Sequence, residues 1–141
     1  MAAVNSMMVV DTSALVAIAT REEGYEQLAQ AIYRGGCLFP EPVRVEFMLV
    51  MAGRKNVSFN HAQALLDDLM NGSGVGSPLD RASSNAAVAA ISQYAKGFGG
   101  ILNLCDLMVY GIAAVTGLPI LCTGNDFAST DALIHPASRV G

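Results

Sequence analysis

The chain has 141 residues, of which 52% are hydrophobic and 14% charged, so it is one domain with a sizeable core and too apolar to stay disordered. A net charge of −4 and a pI near 4.9 argue against broad nucleic-acid binding through bulk electrostatics, which leaves a narrow basic groove or a metal-bridged phosphate contact. No apolar run reaches the roughly 18 residues that cross a bilayer.

Met7, Met8, Val9 and Val10 form a short apolar run ending at Asp11, the pattern of a buried strand. Residues 14–20 read as a helix. Residues 21–33 carry a second helical pattern, closed by Gly35 and Gly36 in the manner of a C-cap. Cys37, Leu38 and Phe39 suit a second strand, and Pro40 and Pro42 suit entry to a strongly apolar helix over 43–51. Ser58 is placed to N-cap a helix over 59–70. The Gly- and Ser-rich stretch 71–78 is a loop around one short strand at Val75. An Ala-rich helix follows over 80–96, then a helix over 104–115 ended by Gly117, a core strand over 119–123 and the turn Gly124, Asn125, Asp126. The tail from Ile134 has no assigned element. Alternating strands and helices favour an α/β layered fold with a parallel sheet, in a single domain over 1–141.

Ligands in such sheets bind beyond the carboxyl ends of the strands. Asp11 and Asp126 each fall just after a predicted strand. Asp106 interrupts an apolar helix and shares a face with Val109, Tyr110 and Ala113. Glu46 sits among Val43, Val45, Phe47, Met48, Leu49 and Val50, where a solvated face would hold more polar neighbours. Each acid has a plainer reading: Asp11 as an N-cap, Asn103 with Asp106 as a capping pair, Glu46 as a partner for Arg44 or a distant Arg, Asp126 as a turn residue. Capping and ligation are compatible. Taken together, four acids at element ends and on an apolar face point to a site for a hard divalent cation, magnesium or manganese, because clustered carboxylates without one repel each other.

The three cysteines lack the spacing of a zinc site or a disulfide framework and read as buried reduced thiols. Asp67 and Asp68 read as a solvated face, and His61 and His135 as surface residues. The eight Lys and Arg are scattered. The start at 1–6 has no basic leader region and 7–10 is too short for a signal core, so a cytoplasmic location is expected. A mean hydropathy of +0.42 is high for a monomer, and a surface covered by another chain is one explanation.

With these residues in place, the chain resembles PIN-domain ribonucleases, more closely the VapC-type toxins of bacterial toxin–antitoxin pairs. Val9 through Ala17 are similar to the family's opening strand and helix, and Glu46 stands where its helical glutamate falls. Tyr94, Ala95, Lys96 and Gly97, then Leu102, Asn103 and Asp106, follow its approach to the third acid. Gly117 to Leu121, Gly124 to Phe127, Thr130 and Asp131 match its closing strand and acidic turn. The resemblance implies a PIN-like three-layer sandwich with a central, mostly parallel sheet flanked by helices. It implies magnesium- or manganese-dependent endonucleolytic cleavage of RNA, leaving a 5′-phosphate and a 3′-hydroxyl. Asp11 and Asp106 would be the principal metal ligands, with Glu46 and Asp126 completing the pocket and orienting water. The implied partners are the RNA substrate, a cognate VapB-type antitoxin and a second copy of the chain in a homodimer. Two departures stand out: Asn125 where many relatives carry another acid, and Leu104 with Cys105 where an aromatic–Gly pair is common. Two other classes are weaker. An aspartyl-phosphate enzyme would want a second acid in place of Ser13, and a non-catalytic PIN-like module that binds RNA or protein has no use for clustered negative charge.

Overall fold

Met8, Val9 and Val10 are all fully buried, although successive side chains on a strand point to opposite faces. Both faces of the sheet they belong to must therefore be covered, as parallel sheets require. The computed structural model describes residues 7–141; the start at 1–6, read above as lacking a basic leader, lies outside them. Four strands, β1 (Met8–Val10), β2 (Cys37–Pro40), β3 (Gly74–Ser77) and β4 (Ile120–Leu121), form one sheet in the order β3-β2-β1-β4. Every pairing among them is parallel: Met8 faces Cys37, Val9 faces Ile120, and Cys37 faces Gly74. The chain thus leaves β1 toward β2 on one side and returns as β4 on the other.

Six α-helices make the crossovers: α1 (Thr12–Ala19), α2 (Tyr25–Tyr33), α3 (Glu41–Leu49), α4 (Phe59–Met70), α5 (Arg81–Tyr94) and α6 (Leu104–Thr116). This is the α/β sandwich expected, with the core formed by Leu15, Leu28, Phe39, Phe47, Leu66, Ile112 and Phe127 around the strands.

Several boundaries differ from the sequence reading. The helix expected over 21–33 begins only at Tyr25, because Arg21 and Gly24 take positive φ values of 53° and 82° and break the turn. The helix expected over 43–51 starts at Glu41 with Pro42 in its first turn, then widens into a π-helical turn at Val50–Arg54. The strand expected over 119–123 pairs with β1 only at Ile120–Leu121, and the unassigned tail supplies further parallel bridges, Ile120 with Ile134 and Thr123 with Arg139.

Close packing of α5 on α6 holds the helix that carries Asp106. Gly111 on α6 is buried, and a Cβ there would overlap the Ser83 carbonyl oxygen and press on the Ala87 Cβ at 3.2 Å. Only a missing side chain permits this approach. Gly111→Val is expected to destabilise the fold by about 1–3 kcal/mol through overpacking, read as a lower Tm; an unchanged Tm would contradict this account of the contact.

Candidate active site

Asp11 leaves β1 and caps α1. Its Oδ2 accepts the backbone N–H of Ser13 at 3.0 Å and the Ser13 hydroxyl at 2.6 Å. Ser13 Oγ in turn accepts the Thr123 N–H at 3.0 Å, so one hydroxyl ties the exit of β1 to the segment after β4. Asp11 is only 4% exposed, and its second oxygen, Oδ1, is buried without a hydrogen-bond partner. An unpaired carboxylate oxygen in such a place costs several kcal/mol. The neighbouring Thr12 Oγ1 is equally unpartnered.

Asp106 combines both roles open to it in sequence. Its Oδ2 accepts the Asn103 N–H at 3.0 Å while Asn103 Oδ1 accepts the Asp106 N–H at 2.9 Å, a reciprocal capping box at the start of α6. It is 7% exposed. Glu46 is half-buried on α3 and is not the partner of Arg44, which pairs with Glu41 at 2.8 Å. Asp126 is exposed at the entry to the short 3-10 turn Phe127–Ser129 and caps nothing. Asn125 is engaged elsewhere, its Oδ1 accepting the N–H of Gly141 at 2.8 Å.

All four candidate acids line one cleft of about 290 Å³, together with Thr12, Ser13, Asn103 and Thr123. Three charged residues that sequence reasoning did not place there join them: Glu22, Arg54 and Lys55. Ser13 is a further residue that the sequence reading did not single out, although its position two beyond an N-capping Asp could have marked it; nothing in sequence spacing marks the three charged residues. The acids share the cleft without closing into a ready-made cage, for among the described residues no three His, Cys, Asp or Glu side chains are set to grip one ion directly.

Burial pushes the Asp11 carboxyl up to about 6, against the lowering effect of the Ser13 hydrogen bonds, with the charge of Glu46 adding to the rise. Burial likewise pushes Asp106 up to about 7, opposed by the Asn103 N–H and assisted by the charges of Asp11, Asp126 and Glu46. Burial is the larger cause in both, and repulsion adds to it, from Glu46 at Asp11 and from the other three acids at Asp106.

Cys37, Cys105 and Cys122 are free and buried, as their spacing suggested. Burial holds the Cys37 and Cys122 thiols up at about 12, and that of Cys105 above its ordinary range, with Glu46 beside it adding to the effect. Asp67, Asp68 and His61 are exposed, whereas His135 is half-buried rather than on the surface, its Nδ1 accepting the Ala137 N–H at 3.1 Å. Beside the cleft runs a larger apolar groove of about 980 Å³, which shares Glu46 and Asn103 with it and is lined by Val45, Leu49, Leu104 and Met108. Val45, Leu49 and Leu104 are each at least 70% exposed there.

Comparison with known proteins agrees with this architecture. The PIN domain family model matches residues 8–133, and the chain belongs to that family. It is 36% identical over 134 residues to a VapC ribonuclease of Mycobacterium bovis, covering 92% of this chain and 98% of that protein. The ribonuclease VapC42 of Mycobacterium tuberculosis matches to the same extent. Among solved structures, the VapC20 toxin of Mycobacterium tuberculosis, described as cleaving the sarcin–ricin loop, superposes with a TM-score of 0.71 at 10% identity over 89% of this chain and 96% of that one. VapBC2 of Rickettsia felis, bound to a DNA fragment from its promoter, superposes with a TM-score of 0.69 at 14% identity over 96% and 97% of the two chains. At such identities the structures speak for the fold alone.

The raised carboxyls carry a stability consequence. Both folded values lie above the ordinary carboxylate range near 4, so between about pH 4 and pH 7 the folded chain holds more protons than the unfolded one. The stabilisation is complete below that window and is lost as pH rises through about 6 and 7. In chelator, Asp106→Asn, which keeps an oxygen for the Asn103 N–H, is expected to melt several degrees above the unaltered chain at pH 8 and close to it at pH 4. Equal melting temperatures at pH 8 would contradict the picture.

Proposed function

We propose that the protein is a metal-dependent endoribonuclease acting as the toxin of a toxin–antitoxin pair. The observation that carries the reading is the acidic cleft itself: Asp11 and Asp106 buried, Glu46 and Asp126 beside them, and Asp11 Oδ1 without a donor. Relatives named VapC ribonucleases match over almost their whole length, which supports the same class of reaction here.

The donor set fits a hard divalent cation. It consists of carboxylate oxygens, the hard ligands that magnesium and manganese take, and one of them, Asp11 Oδ1, is orphaned. Asp11 and Asp106 would hold a magnesium or manganese ion, with Ser13 and Asn103 fixing the orientation of the two carboxylates. Such an ion, when bound, supplies Lewis acidity to the phosphodiester oxygens. Glu46, half-buried on its helix, and Asp126, exposed beside it in the cleft, would orient the attacking water, and Glu46 would take its proton. Attack on phosphorus breaks the bond to the 3′ oxygen and leaves a 5′-phosphate and a 3′-hydroxyl.

Partners enter the proposal on the same footing. Solved structures of this fold include a toxin–antitoxin complex from Klebsiella pneumoniae, which supports a cognate VapB-type antitoxin for this chain. The exposed apolar residues Val45, Leu49 and Leu104 beside the acids support association with another chain, antitoxin or second copy, since monomers rarely leave such a groove open. No helix among the described residues is long and apolar enough to cross a membrane; the cytoplasm is the compartment proposed. The specific observation on the side of a non-catalytic PIN-like module is the missing direct cage.

Purified protein is expected to cleave single-stranded RNA with magnesium or manganese and to stop when EDTA is added. Asp11→Asn and Asp106→Asn should each lower the rate about 100-fold or more while circular dichroism stays unchanged. Full cleavage by both variants would overturn the reading; cleavage by neither the variants nor the unaltered chain, with RNA still bound, would favour the module.

A further inference from the structure

The π-helical turn Val50–Arg54 does something the acids cannot. Its wide turn closes with the Lys55 N–H on the Val50 carbonyl at 2.9 Å, and Asn56 then takes the left-handed conformation at φ 55°. Extra residues in a helix re-aim the side chains beyond them and recur at functional positions. Here the residues at the end of that turn, Arg54 and Lys55, are the only basic side chains among those lining the acidic cleft. Arg34 and Arg44 line other pockets, and Arg21, Arg81, Lys96 and Arg139 line neither the cleft nor the groove beside it.

Five carboxylates line the same cleft, Asp11, Glu22, Glu46, Asp106 and Asp126. None of them pairs with either cation: among the described residues the one ion pair is Arg44 with Glu41. Arg54 and Lys55 are both exposed. Two unpaired cations held at the mouth of an acidic cleft are free to meet an anion that the acids would otherwise repel. A chain of net charge −4 has little long-range pull on a polyanion, so local cations must supply it.

We propose that Arg54 and Lys55 form a phosphate-binding rim that holds the RNA backbone beside the scissile bond. Arg54 offers a planar fork to two phosphate oxygens, and Lys55 a point charge that follows the strand. The proposal rests on the nuclease reading for the word scissile, yet binding and cleavage separate the two. Because phosphate contacts carry no base information, the rim sets affinity and register rather than sequence preference.

The test follows a fluorescent single-stranded RNA by anisotropy across a salt series, alongside steady-state cleavage with magnesium, for the unaltered chain, Arg54→Gln/Lys55→Gln and the charge-matched control Arg81→Gln/Lys96→Gln. The rim variant is expected to bind about tenfold more weakly, with a log–log salt slope shallower by about 0.7 for each phosphate no longer neutralised. Its KM should rise by more than its kcat falls, and Arg54→Lys should recover part of the loss. Binding and slope equal to those of the control variant would overturn the rim even where cleavage is robust. An unaltered chain that binds through these residues but does not cleave would retain the rim and discard the nuclease; one that does not bind RNA at all would overturn both.

Discussion

A carboxylate that leaves a central strand and is buried with one oxygen unpaired constrains everything around it. Asp11 is held from one side only, by Ser13 through Oδ2, and Oδ1 has no donor. A fold stable enough to keep that arrangement must compensate elsewhere, and the fully apolar sheet beneath it, from Met8 to Val10 and across to Ile120 and Leu121, is where it does so. The same Ser13 hydroxyl accepts from Thr123, coupling the geometry of Asp11 to the segment that leads to Asp126.

The topology explains why four residues so distant in sequence meet. With β1 central and β2 and β4 on either side, the carboxyl ends of β1 and β4 adjoin, and the chain diverges there in two directions. That is where a crevice opens in an open parallel sheet. Asp11 and Asp126 arrive on the segments that leave those strands. Glu46 and Asp106 arrive on helices, one from the middle of α3 and one from the first turn of α6, where the helix dipole offers modest support to a negative charge. Gly111 lets α6 lie close on α5 and so keeps Asp106 in place.

Much of this is readable in the chain itself. The four strands and six helices appear in the predicted order, because most are signalled by an apolar period or by strong caps such as Ser58 and Gly117, and β3 by Val75 alone within a Gly- and Ser-rich loop. Asp106 can be singled out because an acid in an apolar run is expensive, and Asn103 three residues earlier announces its capping box. The features that escape are nonlocal or conformational. Arg21 in a left-handed turn looks in sequence like one more helical residue. The π-helical widening at Val50–Arg54 leaves no mark in an apolar period, so Arg54 and Lys55 look merely scattered. Asn125 can be noted as a departure, but its bond to Gly141 depends on tail and turn meeting in space. The pairing of Arg44 with Glu41 rather than Glu46 likewise turns on which way a helix face points.

The central claim is that these carboxylates serve a divalent cation through Asp11 and Asp106. Isothermal titration of manganese into chelator-stripped protein at neutral pH tests it without reference to any substrate. The account predicts saturable binding accompanied by proton release, because Asp106 must shed the proton that burial and its neighbours retain, and a loss of affinity on the order of tenfold or more in Asp11→Asn. Binding indistinguishable between the unaltered chain and Asp11→Asn, or no heat at millimolar metal, would contradict it.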